Sequence, residues 1–180
     1  MAEKKIKAFD IVIIALVSAL IAVCSFIAIP VGAVPVTLQT FAVFVCAGIL
    51  GKNKGTISIL VYILLGIVGI PVFSGFQAGL SVLTGPTGGY IIGFLPAVFV
   101  AGLLTEKTGR KIPFMIASFL AGLVICYVCG MLWYVFVFSS GKSDFASAFT
   151  VCILPYIIPD IIKITLAGFV SVAVRKRIKL

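Results

Sequence analysis

The chain has 180 residues, of which 62% are hydrophobic and 11% charged, with five Cys, no His and a formal net charge of +9; its mean hydropathy is +1.33. A soluble domain is roughly half apolar and a quarter charged, so this composition excludes a water-soluble globule and describes a protein solvated by lipid. In that setting the basic excess reports orientation across a bilayer rather than a nucleic-acid partner.

The first apolar run follows Lys4, Lys5 and Lys7 and predicts a helix over 8–29. It is long and further spans follow it, so it reads as an uncleaved first helix rather than a secretory signal. Ala15 and Ala19, with Ala22 nearby, form a small-xxx-small step that lets another helix approach closely, either within the same bundle or from a partner. A second span, 37–51, follows the loop "IPVGAVPV" and carries Gln39 near its start. "GKNKG" separates it from a third, 56–70. The stretch "GIPVFSGFQAGLSVLTGPTGGY" (69 to 90), rich in Gly and Pro, leads into a fourth span, 88–105. "EKTGRK" precedes a fifth, 112–139, and "SSGKSD" precedes the last, 151–174.

If these spans alternate in direction, Lys4, Lys5, Lys7, Lys52, Lys54, Lys107, Arg110, Lys111, Arg175, Lys176, Arg177 and Lys179 share one side, Lys142 falls on the other, and Lys163 lies within a span. Lys and Arg are retained in the cytoplasm during insertion, so both termini are expected there. The expected fold is an all-α integral membrane protein of six transmembrane helices forming a single membrane domain over 1–180.

Within the second, third and fourth spans the apolar stretches themselves, 37–50, 56–70 and 90–105, run to about 14 to 16 residues, short of the roughly 20 that a crossing helix needs. The uncharged loops at 29–36 and 69–90 make up the deficit by dipping into the outer leaflet. Irregular backbone at that depth requires protein or a cavity to take its hydrogen bonds, so the outer half is expected to enclose a pocket lidded by these loops.

The run "LPYIIPDIIKIT" places Asp160 and Lys163 one helical turn apart in the same half, just below Pro155 and Pro159. An ionisable group at such a depth costs about 2.5–3.5 kcal/mol or more and requires partners. Either the pair neutralises itself and locks the helix, or Lys163 meets an anionic group while Asp160 accepts from a ligand donor; broken backbone beside buried charge favours the second. Gln39 and Gln77 are weaker candidates, as amides that a loop or a ligand could satisfy. Phe41, Phe73, Phe76 and Tyr90 could stack on a ring, although packing or an interfacial belt is the commoner use of such side chains.

Other chemistry lacks its parts. Cys126 and Cys129 have CxxC spacing but no His and no second CxxC, so they read as small buried hydrophobes. "GPTGGY" at 85 to 90 opens no GK[ST], and no Walker A sequence occurs, so ATP hydrolysis is not expected of this chain. Without His or paired acids there is no Ser/His/Asp set, two-carboxylate site or metal cluster, and nothing places a serine beside Lys163. No catalytic residue and no metal is expected. Three readings remain: a subunit that captures a small ligand, a solitary secondary transporter or channel for a small anionic solute, and a membrane enzyme. A pore would want polar residues through several helices, which the inner halves lack.

The segments "PVTLQTFAVFVCAGILGKNKG", "YILLGIVGIPVFSGFQAGLSVLTGPTGGYIIGF" and "YIIPDIIK", in this order and spacing, resemble the BioY family, the biotin-specific S components of energy-coupling factor transporters. The resemblance covers most of the chain. It implies a six-helix bundle in a prokaryotic cytoplasmic membrane that captures biotin from outside and passes it inward with a membrane-embedded T component and two ATPase subunits. Biotin would be transported, with no cofactor bound for chemistry. Carried over by position, Asp160 and Lys163 would touch biotin. The loop through Phe76 and Gln77, the lid Gly85, Pro86, Thr87, Gly89 and Tyr90, and the segment holding Gln39 would complete the site. Ala15, Ala19 and Ala22 would dock the T component. The ligand's carboxylate is the favoured partner of Lys163, with Asp160 on a ureido N–H, although a loop backbone could take either role.

Overall fold

The computed structural model describes residues 8–32, 34–109 and 111–177; Lys4, Lys5, Lys7, Arg110 and Lys179, which enter the charge argument, lie outside them. Long apolar runs become helices because a helix satisfies its own backbone, the only economical solution for a single segment in lipid. Among the described residues, five helical segments are long and apolar enough to cross a membrane. They contain α1 (Ala8–Phe26), α2 (Gln39–Val68), α4 (Gly88–Lys107), α5 (Ile112–Trp133) and α7 (Ile157–Arg177), with short α3 (Leu80–Thr84) and α6 (Phe145–Cys152) in the connections.

α2 is a helical hairpin. Its residue Gly51 has φ 73 and ψ −168, a conformation that a side chain strongly disfavours. The chain reverses there: the Gln39 amide donates to Tyr62 Oη at 2.8 Å, although 23 residues separate them. The two arms, 39–50 and 52–68, bring the bundle to six helices. The sequence reading assigns "GKNKG" to a loop; instead the reversal is concentrated on Gly51 and the residues after it are helical. Glu106 Oε1 makes this possible by accepting the Lys52 backbone N–H at 3.0 Å. At 1.5 Å per residue the first arm spans only about 18 Å, well below a bilayer core.

Two further boundaries differ from expectation. α1 stops at Phe26 because Ala28–Ile29 (β1) pairs antiparallel with Val36–Thr37 (β2), in the register Ala28↔Thr37 and Ile29↔Val36. The expected last helix, 151–174, is divided: α6 ends at Cys152, a 3-10 turn covers Leu154–Tyr156, and α7 begins at Ile157. Pro155 and Pro159 explain the division, since neither donates a backbone hydrogen bond and Pro is tolerated only within a helix's first turn.

The bundle has two chemically distinct ends. At the basic end Lys54 Nζ meets Asp10 Oδ1 at 2.6 Å, the Arg175 guanidinium donates to the Ile49 carbonyl, and Lys107, Lys111, Lys176 and Arg177 are exposed. The segments 27–38, 69–87 and 139–156 gather at the other, the loop end. Close packing makes the core: α4 lies against α5 through Gly89, where a Cβ would strike Trp133 and the Cys129 carbonyl. Small residues permit such approach where helix contact cannot draw on a hydrophobic driving force. The surface of α1 is the reverse, with Ile11, Val12 and Leu16 each about 60% exposed, as a lipid-facing helix should be.

Candidate functional site

At the loop end the helices enclose a cavity of about 720 Å³, within the range of small-molecule sites. α7 supplies its charge. Asp160 and Lys163, one turn apart, both line the cavity, and Lys163 Nζ lies 2.8 Å from Asp160 Oδ1. Asp160 is 3% exposed, and its carboxylate receives two further donors. Thr40 Oγ1, from the first arm of α2, approaches Oδ1 at 3.0 Å. Tyr127 Oη, from α5, approaches Oδ2 at 2.8 Å.

Three helices therefore converge on one carboxylate, and the mutual neutralisation of the pair accounts for only part of its hydrogen-bonding capacity. Asp160 does neutralise Lys163, but neither group is exhausted. A carboxylate has about four acceptor positions, of which three are taken, and an ammonium has three donors, of which Asp160 takes one. The pair presents an acceptor and a donor side by side to the cavity.

Gln39 also lines the cavity, but its amide is part of a structural chain. It donates to Tyr62 Oη at 2.8 Å, and Tyr62 Oη donates to the Val72 carbonyl at 3.2 Å. Ser25 Oγ of α1 donates to the same carbonyl at 2.6 Å. Val72 belongs to the segment 69–79 that forms one wall, so this network ties the wall to α1 and α2. Gln77 lines the cavity from that segment, and Gly85, Pro86, Thr87 and Tyr90 line it from the entry to α4. The Tyr90 hydroxyl donates to the Cys152 carbonyl and joins α4 to α6.

Two expected site residues are not in the cavity wall. Phe76 is 65% exposed and has φ 59; its ring stacks on Phe26 with centroids 4.2 Å apart. This left-handed turn carries the side chain outward between its neighbours. Gly89 is buried between α4 and α5, because Thr87, Tyr90, Ile91 and Phe94 form the cavity face of α4 and helical spacing directs residue 89 elsewhere. Of the small residues on α1, Ala15 and Ala19 are exposed, whereas Ala22 joins Ser18, Ile21 and Ser25 on the buried face.

Sequence reasoning missed Thr40, Tyr127 and Tyr156. Each is a hydroxyl in an apolar run, and that was the available signal: a buried hydroxyl needs a partner. Tyr127 adjoins Cys126, whose CxxC spacing with Cys129 is the more conspicuous pattern there. Which helix faces share a centre depends on the fold.

A largely apolar cavity with one acid–base pair in its wall, set at one end of a helical membrane bundle, defines a membrane-embedded binding protein for a single small polar-headed ligand. The chain belongs to the BioY family, whose model matches residues 1–180. It is 43% identical over 159 residues to "Biotin transporter BioY" of Thermotoga maritima, covering 88% of this chain and 91% of that protein. It is 41% identical over 166 residues to "Probable biotin transporter BioY" of Pyrococcus horikoshii, covering 92% and 95%. Its fold is similar to a crystal structure of the S-component for biotin from an ECF-type ABC transporter, with TM-score 0.87 and 27% identity across 98% of this chain and 95% of that one.

Proposed function

We infer that this protein is the biotin-binding subunit of an ECF-type uptake transporter in a prokaryotic cytoplasmic membrane. The observation that carries the reading is the cavity at the loop end with Asp160 and Lys163 in its wall, in a chain of the BioY family. The basic end faces the cytoplasm together with both termini, because Lys and Arg are retained inside. The cavity then opens toward the outer leaflet, and the segments 27–38 and 69–87 cover it. With no Walker sequence, the chain depends on two ATPase subunits and a membrane-embedded T component for its driving force. The exposed step Ala15 and Ala19 on α1 is the proposed surface for that T component.

The 2.8 Å separation of Nζ and Oδ1 changes the expected ligand orientation. Biotin's carboxylate and ureido group stand at opposite ends of a thiophane ring and an alkyl chain, so they do not both reach a pair this tight. A carboxylate on Lys163 would also lie beside Asp160, where like charges repel. The ureido ring matches better, since its carbonyl accepts from Lys163 while an adjacent N–H donates to Asp160. The chain and carboxylate then extend toward Gln77, Ser81 and Thr87 in the loop wall.

The test is to purify the chain from cells supplied with biotin, identify the co-purified small molecule by mass spectrometry, and titrate biotin into protein stripped of it. Saturable binding at one site per chain is expected. Flux through the isolated chain in vesicles, without saturable binding, would instead favour a channel.

A further inference from the structure

Tyr156 occupies the 3-10 turn before α7 and is 5% exposed. Its hydroxyl lies 2.5 Å from the Val34 carbonyl and 3.1 Å from the Val31 carbonyl, more than 120 residues away in sequence. Both carbonyls belong to the tip of the β1–β2 hairpin, 28–37, which forms part of the cavity wall through Ala28, Pro30 and Val34–Thr37. The strand ladder ties only the hairpin's base. Among the described residues, the hydrogen bonds that reach residues 31, 32 and 34 both come from this phenol. The prolines at 30 and 35 cannot donate. Gly32, at φ 67, marks a tight turn rather than a further anchor.

Tyr156, Asp160 and Lys163 are spaced i, i+4 and i+7 and line the same cavity. One face at the start of α7 therefore carries, in series, the group that holds the hairpin and the two groups that present charge to the cavity. A ligand seated on the charged pair bears on the element from which the hairpin hangs.

We propose that Tyr156 is the positioning residue that holds the hairpin 28–37 closed over the cavity, so that its hydroxyl sets the rate at which ligand is exchanged. The proposal rests on the function inferred above for the ligand, but the hairpin's opening can be read without ligand.

The test uses the full chain with Tyr156→Phe, which retains the ring and removes the donor. Losing a typical intramolecular hydrogen bond should raise the open population roughly threefold to tenfold. Biotin dissociation should accelerate by that factor, with an association rate equal to or above that of the unaltered protein. Damage to the cavity would instead lower association. In parallel, Val34→Cys, at a position now 6% exposed, is labelled with a maleimide, using the parent chain to measure background from native cysteines. Labelling of the ligand-free protein should accelerate by the same factor in the Tyr156→Phe background. Biotin should suppress it where Tyr156 is retained.

Exchange and labelling rates within twofold of the Tyr156 protein would overturn the proposal. If Tyr156→Phe fails to fold, as judged by gel filtration and thermal unfolding, labelling of Val34→Cys with Tyr156 retained decides the question. Equal rates with and without biotin would then overturn it. Failure of the unaltered chain to bind biotin would count against the functional reading, while labelling of the ligand-free Tyr and Phe proteins would still judge the hairpin.

Discussion

Replacing Lys163 by Met tests which end of the ligand the charged pair receives. The substitution keeps an unbranched apolar stem and removes the ammonium, leaving Asp160 with Thr40 and Tyr127 as donors. A hydrogen bond to a charged group contributes about 1.5–3 kcal/mol, so biotin affinity should fall roughly tenfold to 150-fold. The assay is calorimetric titration of four combinations: unaltered protein and Lys163→Met, each with biotin and with biotin's primary amide. If the ureido ring lies on Lys163, neutralising the far carboxylate changes affinity by the same factor in both proteins, and the two effects add. A thermal unfolding measurement on each protein separates lost contact from lost fold. Strong non-additivity, with the amide binding both proteins equally, would place the carboxylate on Lys163 and refute the orientation proposed here.

Asp160→Asn leaves a buried ammonium without its counter-ion and should destabilise the protein by about 3–5 kcal/mol; thermal unfolding in detergent should show this, and adding Lys163→Met should recover much of the loss. Gly51→Ala forces a side chain into φ 73 and against the Glu106 carboxylate, a strain of about 1–3 kcal/mol, visible as a lower unfolding temperature with the biotin site chemically intact. Ala15→Leu with Ala19→Leu enlarges the exposed face of α1 without touching the cavity. Biotin titration should be unchanged, while co-purification with a T component and its ATPases should be lost.

Composition was sufficient to read lipid as the solvent, because no other environment stabilises a chain so apolar. Charge placement likewise divided the molecule into a basic end and a loop end, and isolated ionisable groups in apolar runs marked Asp160 and Lys163. These inferences need only the local cost of leaving a group in the wrong medium. The Gly/Pro stretches at 29–36 and 69–90 were legible as segments beside a pocket for the same reason, and residues of both line the cavity.

Tertiary structure decided what the local pattern leaves open. The reversal at Gly51 depends on Glu106, 55 positions away, accepting a freed N–H. Thr40 and Tyr127 become site residues only because α2 and α5 turn those faces toward α7. Gln39 proves to tie the wall through Tyr62, and Phe76 and Gly89 leave the cavity because backbone direction, rather than residue type, aims a side chain. Burial cost acts on each residue where it stands, so sequence carries it; hydrogen-bond partners in a bundle come from segments distant along the chain, so only the packed helices determine them.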